Sequence, residues 1–297
     1  MSFHFDFVRH WKIWFACSGT LMLIALLSLL FRGLNYGIDF TGGTQMDLRF
    51  QHSITAAQLT PPLNQFHLTG SSVVFVGSGH REVLVTTPTI SEHTRDNLLA
   101  VIAAKVGKFD AISTQRVSSV IGQQTEQTAL LAVLLATVGI ILYIAIRFEF
   151  RFAISAIMAL VHDVLISVGL VALIHISLSQ YFVMAVLTVF GYSVNDTIII
   201  FDRIRENMRK QKRGEALEDL VNKSLNQVLV RSINTSSTVL IALAAILIFG
   251  GASIQDFALT MLLGVFFGTY SSIFIASPIW LLWRKKTMPT PRRRRAA

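Results

Sequence analysis

GYSVNDTIII, residues Gly191–Ile200, decides how this chain is read. It lies in the run from Tyr181 to Phe201, where Asp196 is the only charged side chain. An ionised carboxylate near a bilayer centre costs roughly 3 kcal/mol on insertion scales. Ionisable groups at that depth usually face a bundle interior or wet cavity, where they serve ion pathways or proton relays. Two readings of Asp196 stand: a proton-exchanging group, or a structural carboxyl hydrogen-bonded across a helix interface. Around it, Thr188, Tyr192 and Asn195 recur at spacings of four and three on one helix face, with Ser193 and Asp196 beside them as a polar wedge.

The same kind of apolar run recurs along the chain. Hydrophobic residues make up 53% of the sequence, charged residues 14%, and the mean hydropathy is +0.57. Six runs are long enough to cross a hydrocarbon core of roughly 30 Å: about Ile13 to Phe31, Gln127 to Ile146, Phe152 to Leu178, Gln180 to Phe201, Ser232 to Gly250 and Phe257 to Trp283. The fold class is therefore an α-helical polytopic membrane protein with six transmembrane helices. The first run follows Arg9 and Lys12 and lacks a small-x-small cleavage site, so it reads as an uncleaved signal anchor.

Lysine and arginine counts set the orientation, because cytoplasmic loops carry their excess. The N-terminus has two, the Arg147 to Arg151 turn two, the Asp202 to Arg231 loop eight and the tail seven. The short loops around His175 to Ser179 and Gly250 to Asp256 have none. Both termini are expected in the cytoplasm and the segment Arg32 to Thr128, with seven positive and seven negative residues, outside. The expected domains are 1–31, N-terminus and first span; 32–128, extracytoplasmic; 129–283, five helices with a cytoplasmic loop at 202–231; and 284–297, a basic cytoplasmic tail. The net charge of +9 is mostly topology, and Arg292 to Arg295 reads as orientation plus attraction to anionic lipid rather than nucleic-acid binding. Cys17 is the only cysteine, which excludes an internal disulfide. Scattered histidines and the lack of a Gly-rich phosphate loop point to neither a metal nor a nucleotide site, so no cofactor and no enzyme activity are expected.

The outside segment has its own pattern. Thr44 to Phe50 alternates, with Met46, Leu48 and Phe50 on one face, as a strand does. Ser71 to Gly77 and Arg81 to Thr87 read as a hairpin around SGH. Ser91 is a candidate N-cap for a helix to about Val106 with the stripe Leu98, Leu99, Ile102 and Val106. Thr55 to Gln65 reads as a shorter helix interrupted by Pro61 and Pro62, and Phe109 to Val117 as a last strand. The order β-α-β-β-α-β indicates an α+β ferredoxin-like domain between the first and second spans. GIDFTGGT, Gly37 to Thr44, joins it to the first span, and a turn explains its three glycines.

Further polar groups lie at membrane depth. His162 and Asp163 occupy the middle of the third span, Asp163 sharing a face with Ala159 and Ser167 while His162 points about 100° away. They read equally as a satisfied interface pair or as participants in proton movement. Arg231 precedes SINTSSTVL, and a helix beginning upstream of it would carry the guanidinium into the inner half of the membrane, towards Asp196. The alternative is an arginine that only sets orientation. Gly264, Gly268 and Ser272 repeat every four residues, a face on which backbones pack closely.

GYSVNDTIIIFDRIREN (Gly191 to Asn207), with GIDFTGGT, ALVHDV (Ala159 to Val164), IRFEFRFA (Ile146 to Ala153) and RSINTS (Arg231 to Ser236), resembles the SecF family of protein-export membrane subunits. Nearly the whole chain takes part. The resemblance implies one RND-like half that pairs with SecD and uses the proton-motive force in late preprotein export across the bacterial inner membrane, protons being the coupling ion. It implies the SecYEG translocon and a SecA-driven preprotein as partners, with membrane lipids and, in the wider set of candidates, YajC and YidC. It implies that Asp196 carries the proton, that Arg231 is its partner, and that His162 and Asp163 form the HD motif. Two other function classes stay open: a self-contained RND-like proton-coupled exporter, and a passive assembly factor for the translocon.

Overall fold

The computed structural model describes residues 5–76, 79–212 and 214–287. In chain order its elements are α1 (Trp11–Phe31), β1 (Asn35–Tyr36), α2 (Ile38–Thr41), β2 (Gly43–Phe50), α3 (Ala56–Gln65), β3 (Ser72–Val76), β4 (Glu82–Thr87), α4 (Glu92–Lys105) and β5 (Phe109–Val117). Then follow α5 (Ser119–Arg147), α6 (Phe150–Ile174), β6 (Ser177–Leu178), α7 (Gln180–Arg209), α8 (Leu217–Phe249), α9 (Ala252–Ser271), a π turn (Ser272–Ala276) and α10 (Ser277–Thr287). Among the described residues, six helices, the last running through α9 and α10, are long and apolar enough to span a membrane.

Between α1 and α5, one antiparallel sheet has the order β3-β4-β2-β5, the ferredoxin-like arrangement. Met46, Leu48 and Phe50 point inward with Val83 and Val85 beside them, and Leu59, Leu98 and Ile102 close the core from α3 and α4. Each such side chain contributes roughly 1.5–3 kcal/mol through burial. Ser91 caps α4 by accepting from the Thr94 amide at 3.1 Å, as its position predicts. Pro61 and Pro62 do not interrupt α3, which runs unbroken behind a Thr55–Gln58 capping box. Residues 77–78 of the expected hairpin turn and the arginines at 292–295 lie outside the described residues.

The bundle departs from the expected spans at their ends. α5 begins at Ser119, directly after β5, with Ser118 as its cap. α6 stops at Ile174 because His175 turns left-handed at φ 64°. The 202–231 segment is mostly helix rather than loop: α7 continues to Arg209 and α8 starts at Leu217, fourteen residues before Arg231. Hydropathy marks where a helix is apolar, and these helices continue as amphipathic rods held by Asn207–Ser224 (2.8 Å) and Arg203–Gln227 (2.7 Å) contacts. Close approach needs small residues. A Cβ on Gly264 would meet Val189 at 2.1 Å, one on Gly268 would meet Ser193 at 3.1 Å, and one on Gly169 would meet Ala25 at 2.3 Å. The small-residue face expected on the last span therefore seats α9 on α7.

Candidate functional site

That seating brings the buried polar groups of four helices together. Asp163 on α6 is fully buried and accepts three side-chain bonds: His162 Nδ1 lies 2.8 Å from Oδ1, while Ser193 Oγ and Ser271 Oγ donate to Oδ2 at 2.6 and 2.7 Å. His162 was expected to point away from Asp163, but its ring folds back onto the carboxylate. Its other face stacks near Tyr270, with centroids 6.3 Å apart. Tyr270 in turn donates to the Trp14 carbonyl at 3.2 Å and accepts from Ser18 at 3.3 Å, tying the cluster to α1.

Asp196 stands one turn along α7 from Ser193 and is also buried. Ser232 Oγ of α8 donates to its Oδ1 at 3.3 Å. Oδ2 is enclosed and has no hydrogen-bond partner among the described residues. The Thr269 hydroxyl, which contacts Ser236 (2.6 Å) and donates to the Val265 carbonyl (3.0 Å), lies beside the Asp196 carboxylate. Thr197, next to Asp196 in sequence, and Ser272, next to Ser271, share a 2.8 Å hydroxyl contact. The π turn places Ser272 there directly after Ser271, so consecutive hydroxyls face Thr197 and Asp163. π bulges recur at functional sites.

Arg231 is exposed and makes no ion pair within 4 Å among the described residues, yet it lies close enough for its charge to act on Asp196, while Ser232, its neighbour in sequence, makes the direct contact. The polar wedge also divides. Ser193 and Asp196 are buried, Tyr192 packs beside Val189 and Leu243, and Thr188 and Asn195 are exposed. Sequence reasoning missed Thr197, Ser232, Ser271 and Ser272. Ser272 was visible only as a small residue, and the signal that marks the others is hydroxyls at helical spacing opposite an intramembrane carboxylate.

Two exposed stripes continue the polar character outward. Thr188 and Asn195 on α7, and Arg231, Asn234, Thr235 and Thr238 on α8, are exposed on helices long and apolar enough to cross a membrane.

Comparison with known proteins bears on this arrangement. Residues 98–286 match the family described as "Protein export membrane protein SecD/SecF, C-terminal", and residues 27–54 match the "SecD/SecF GG Motif". "Protein translocase subunit SecF" of Sebaldella termitidis is 37% identical over 282 residues, covering 94% of this chain and 91% of that one. The Alicyclobacillus acidocaldarius protein of the same name is 40% identical, with 97% and 96% covered. A crystal structure of SecDF, a translocon-associated membrane protein from Thermus thermophilus, superposes with a TM-score of 0.86 at 35% identity, covering 95% of this chain and 39% of that one. With family match, fold and length all in agreement, the chain belongs to the SecD/SecF family of protein export membrane proteins, as a multi-pass SecF-type translocase subunit.

Proposed function

We propose that the chain couples the proton-motive force to late preprotein export, with Asp196 exchanging the proton and a SecD-type subunit completing the unit at the Sec translocon in the bacterial inner membrane. The observation that carries this reading is the unpartnered, buried Oδ2 of Asp196, whose other oxygen meets the Ser232 hydroxyl in an interface that also buries the Thr197 and Ser272 hydroxyls. A structural carboxyl in the same place would have its oxygens satisfied, as Asp163 does. Moving one charge through 100 mV supplies about 2.3 kcal/mol, and each pH unit about 1.4 kcal/mol. Together these bias two states that differ by a few kcal/mol.

The exposed stripes on α7 and α8 support the need for a partner, since polar groups facing lipid are costly and polar faces associate. Fused relatives point the same way. This chain is 36% identical to the "Protein translocase subunit SecDF" of Thermus thermophilus and covers 38% of it. Arg231 then works at the partner face or after a shift that brings it to Asp196, and Asp163 with His162 organises the interior. The positive-inside distribution supports cytoplasmic termini and an outside α+β domain that meets the emerging preprotein. The assembly-factor reading draws on the Ser232 contact across α7 and α8, and one variant separates it. Asp196→Asn in membrane vesicles carrying the SecD-containing complex should leave assembly intact and lower potential-stimulated export at least tenfold. Export at wild-type level with an intact complex would favour assembly.

A further inference from the structure

The Gly37–Thr44 segment is more than a turn. Its centre forms α2, and the Asp39 carboxylate accepts the Gln180 amide, the first of α7, at 2.8 Å. Ser179 holds the N-cap position of α7, yet its side chain makes no capping bond. Asp39 supplies the missing acceptor from a segment 141 positions away, with a charge sign that suits a helix N-terminus.

Around this contact the backbone is tightly enclosed. β1 pairs parallel with β6, Asn35 opposite Ser177 and Tyr36 opposite Leu178, and the Gly37 amide donates to Leu178 O at 2.8 Å. Asn35 Nδ2 donates to His175 O and Arg32 Nη1 to Leu173 O, at 3.2 and 3.0 Å, holding the end of α6. A Cβ on Gly37 would come within 2.6 Å of Leu178 O, and one on Gly122 of α5 within 2.6 Å of Phe40 O. On the far side Gly42 (φ 75°) leads into Gly43, which pairs with Val117 as the first rung of the domain sheet. The eight residues Gly37–Thr44 thus touch β6, the start of α5, the start of α7 and the domain sheet, while Arg32 and Asn35 just before them hold the end of α6.

We propose that Asp39 is a positioning residue: by capping α7 from within the Gly37–Thr44 segment, it fastens the α+β domain to the helix that carries Asp196, so that domain and helix move as one body. The glycines permit close contact rather than hinging. α7 is unbroken from Gln180 past Asp196, so a displacement at the carboxylate reaches the Asp39 contact through about 24 Å of helix. The inference deepens the proposed function and rests on its two-state bias by proton exchange at Asp196, read here as a displacement of α7.

The test is a pulsed-EPR distance between spin labels at Glu92 on α4 and Met184 on α7, both exposed, in the reconstituted SecD-containing complex with Cys17 replaced by alanine. Wild type and Asp39→Asn, which keeps an acceptor, should give the same narrow distribution. Asp39→Ala should broaden it and speed amide exchange in the first turn of α7 about fivefold, the factor implied by a lost cap. Gln180→Pro removes the donated amide at a position where helices accept proline, and should broaden the distribution equally. Distributions for Asp39→Ala and Gln180→Pro as narrow as wild type would overturn the proposal. The readout is a distance, so wild-type export by Asp196→Asn would defeat the proton reading and leave this result unchanged.

Discussion

Asp163 takes three side-chain hydrogen bonds and Asp196 one, although α7 and α9 bury both. Truncating Asp163 orphans Ser193 and the His162 Nδ1 together and leaves Ser271 only its Gly268 carbonyl contact. Asp163→Ala should therefore lower the stability of the detergent-solubilised complex by on the order of 3 kcal/mol, read as a fall in thermal midpoint, since an orphaned buried group costs about 1–3 kcal/mol. Asp163→Asn, which keeps an acceptor oxygen, should cost less. Outside the membrane, Asp47 on β2 titrates differently. Burial raises its carboxyl above the ordinary value, Glu82 adds to the rise and Arg49 opposes it. Asp47 then contributes stability below the ordinary carboxylate range, and loses it as pH rises through the raised value. Asp47→Asn should flatten that decline between acid and neutral pH, measured as protection of β2 and β5 amides corrected for intrinsic exchange.

At the scale of elements, α9 seats on α7 because Gly264 leaves room for Val189. Gly264→Ala should loosen that seat and cost about 1–3 kcal/mol as an overpacked contact does. Adding Val189→Ala should recover most of it, and failure of that rescue in thermal unfolding would show that the contact is not what limits approach. The six spans, the βαββαβ order and the Gly264–Gly268–Ser272 face were legible in the sequence, because hydropathy, strand alternation and small-residue spacing are local signals. The ends of α5 and α8 were not, since each helix continues beyond its apolar part. Nor was the hydroxyl shell of Asp163, which depends on which residues of distant helices meet. Asp196 itself was legible as the charge in an apolar run. The placing of Ser232, rather than Arg231, against it was not, for neighbours in sequence point about 100° apart on a helix.

For the whole molecule, sidedness and partner decide whether this architecture works as proposed. With Cys17 replaced by alanine, a cysteine at Glu92 should react with an impermeant maleimide in intact cells, and one at Gln211 only after permeabilisation. The reverse pattern would invert the topology. The exposed stripes of α7 and α8 also require that the chain reconstituted alone be inactive. Full transport by it alone would instead indicate a self-contained exporter. The most direct test of the central claim is proton flux into proteoliposomes that hold the SecD-containing complex, a trapped pH dye and an imposed membrane potential. Wild type should change lumenal pH, and Asp196→Asn, assembled equally well, should leave only the leak of protein-free vesicles. Equal flux from the two complexes would contradict Asp196 as the proton-exchanging group.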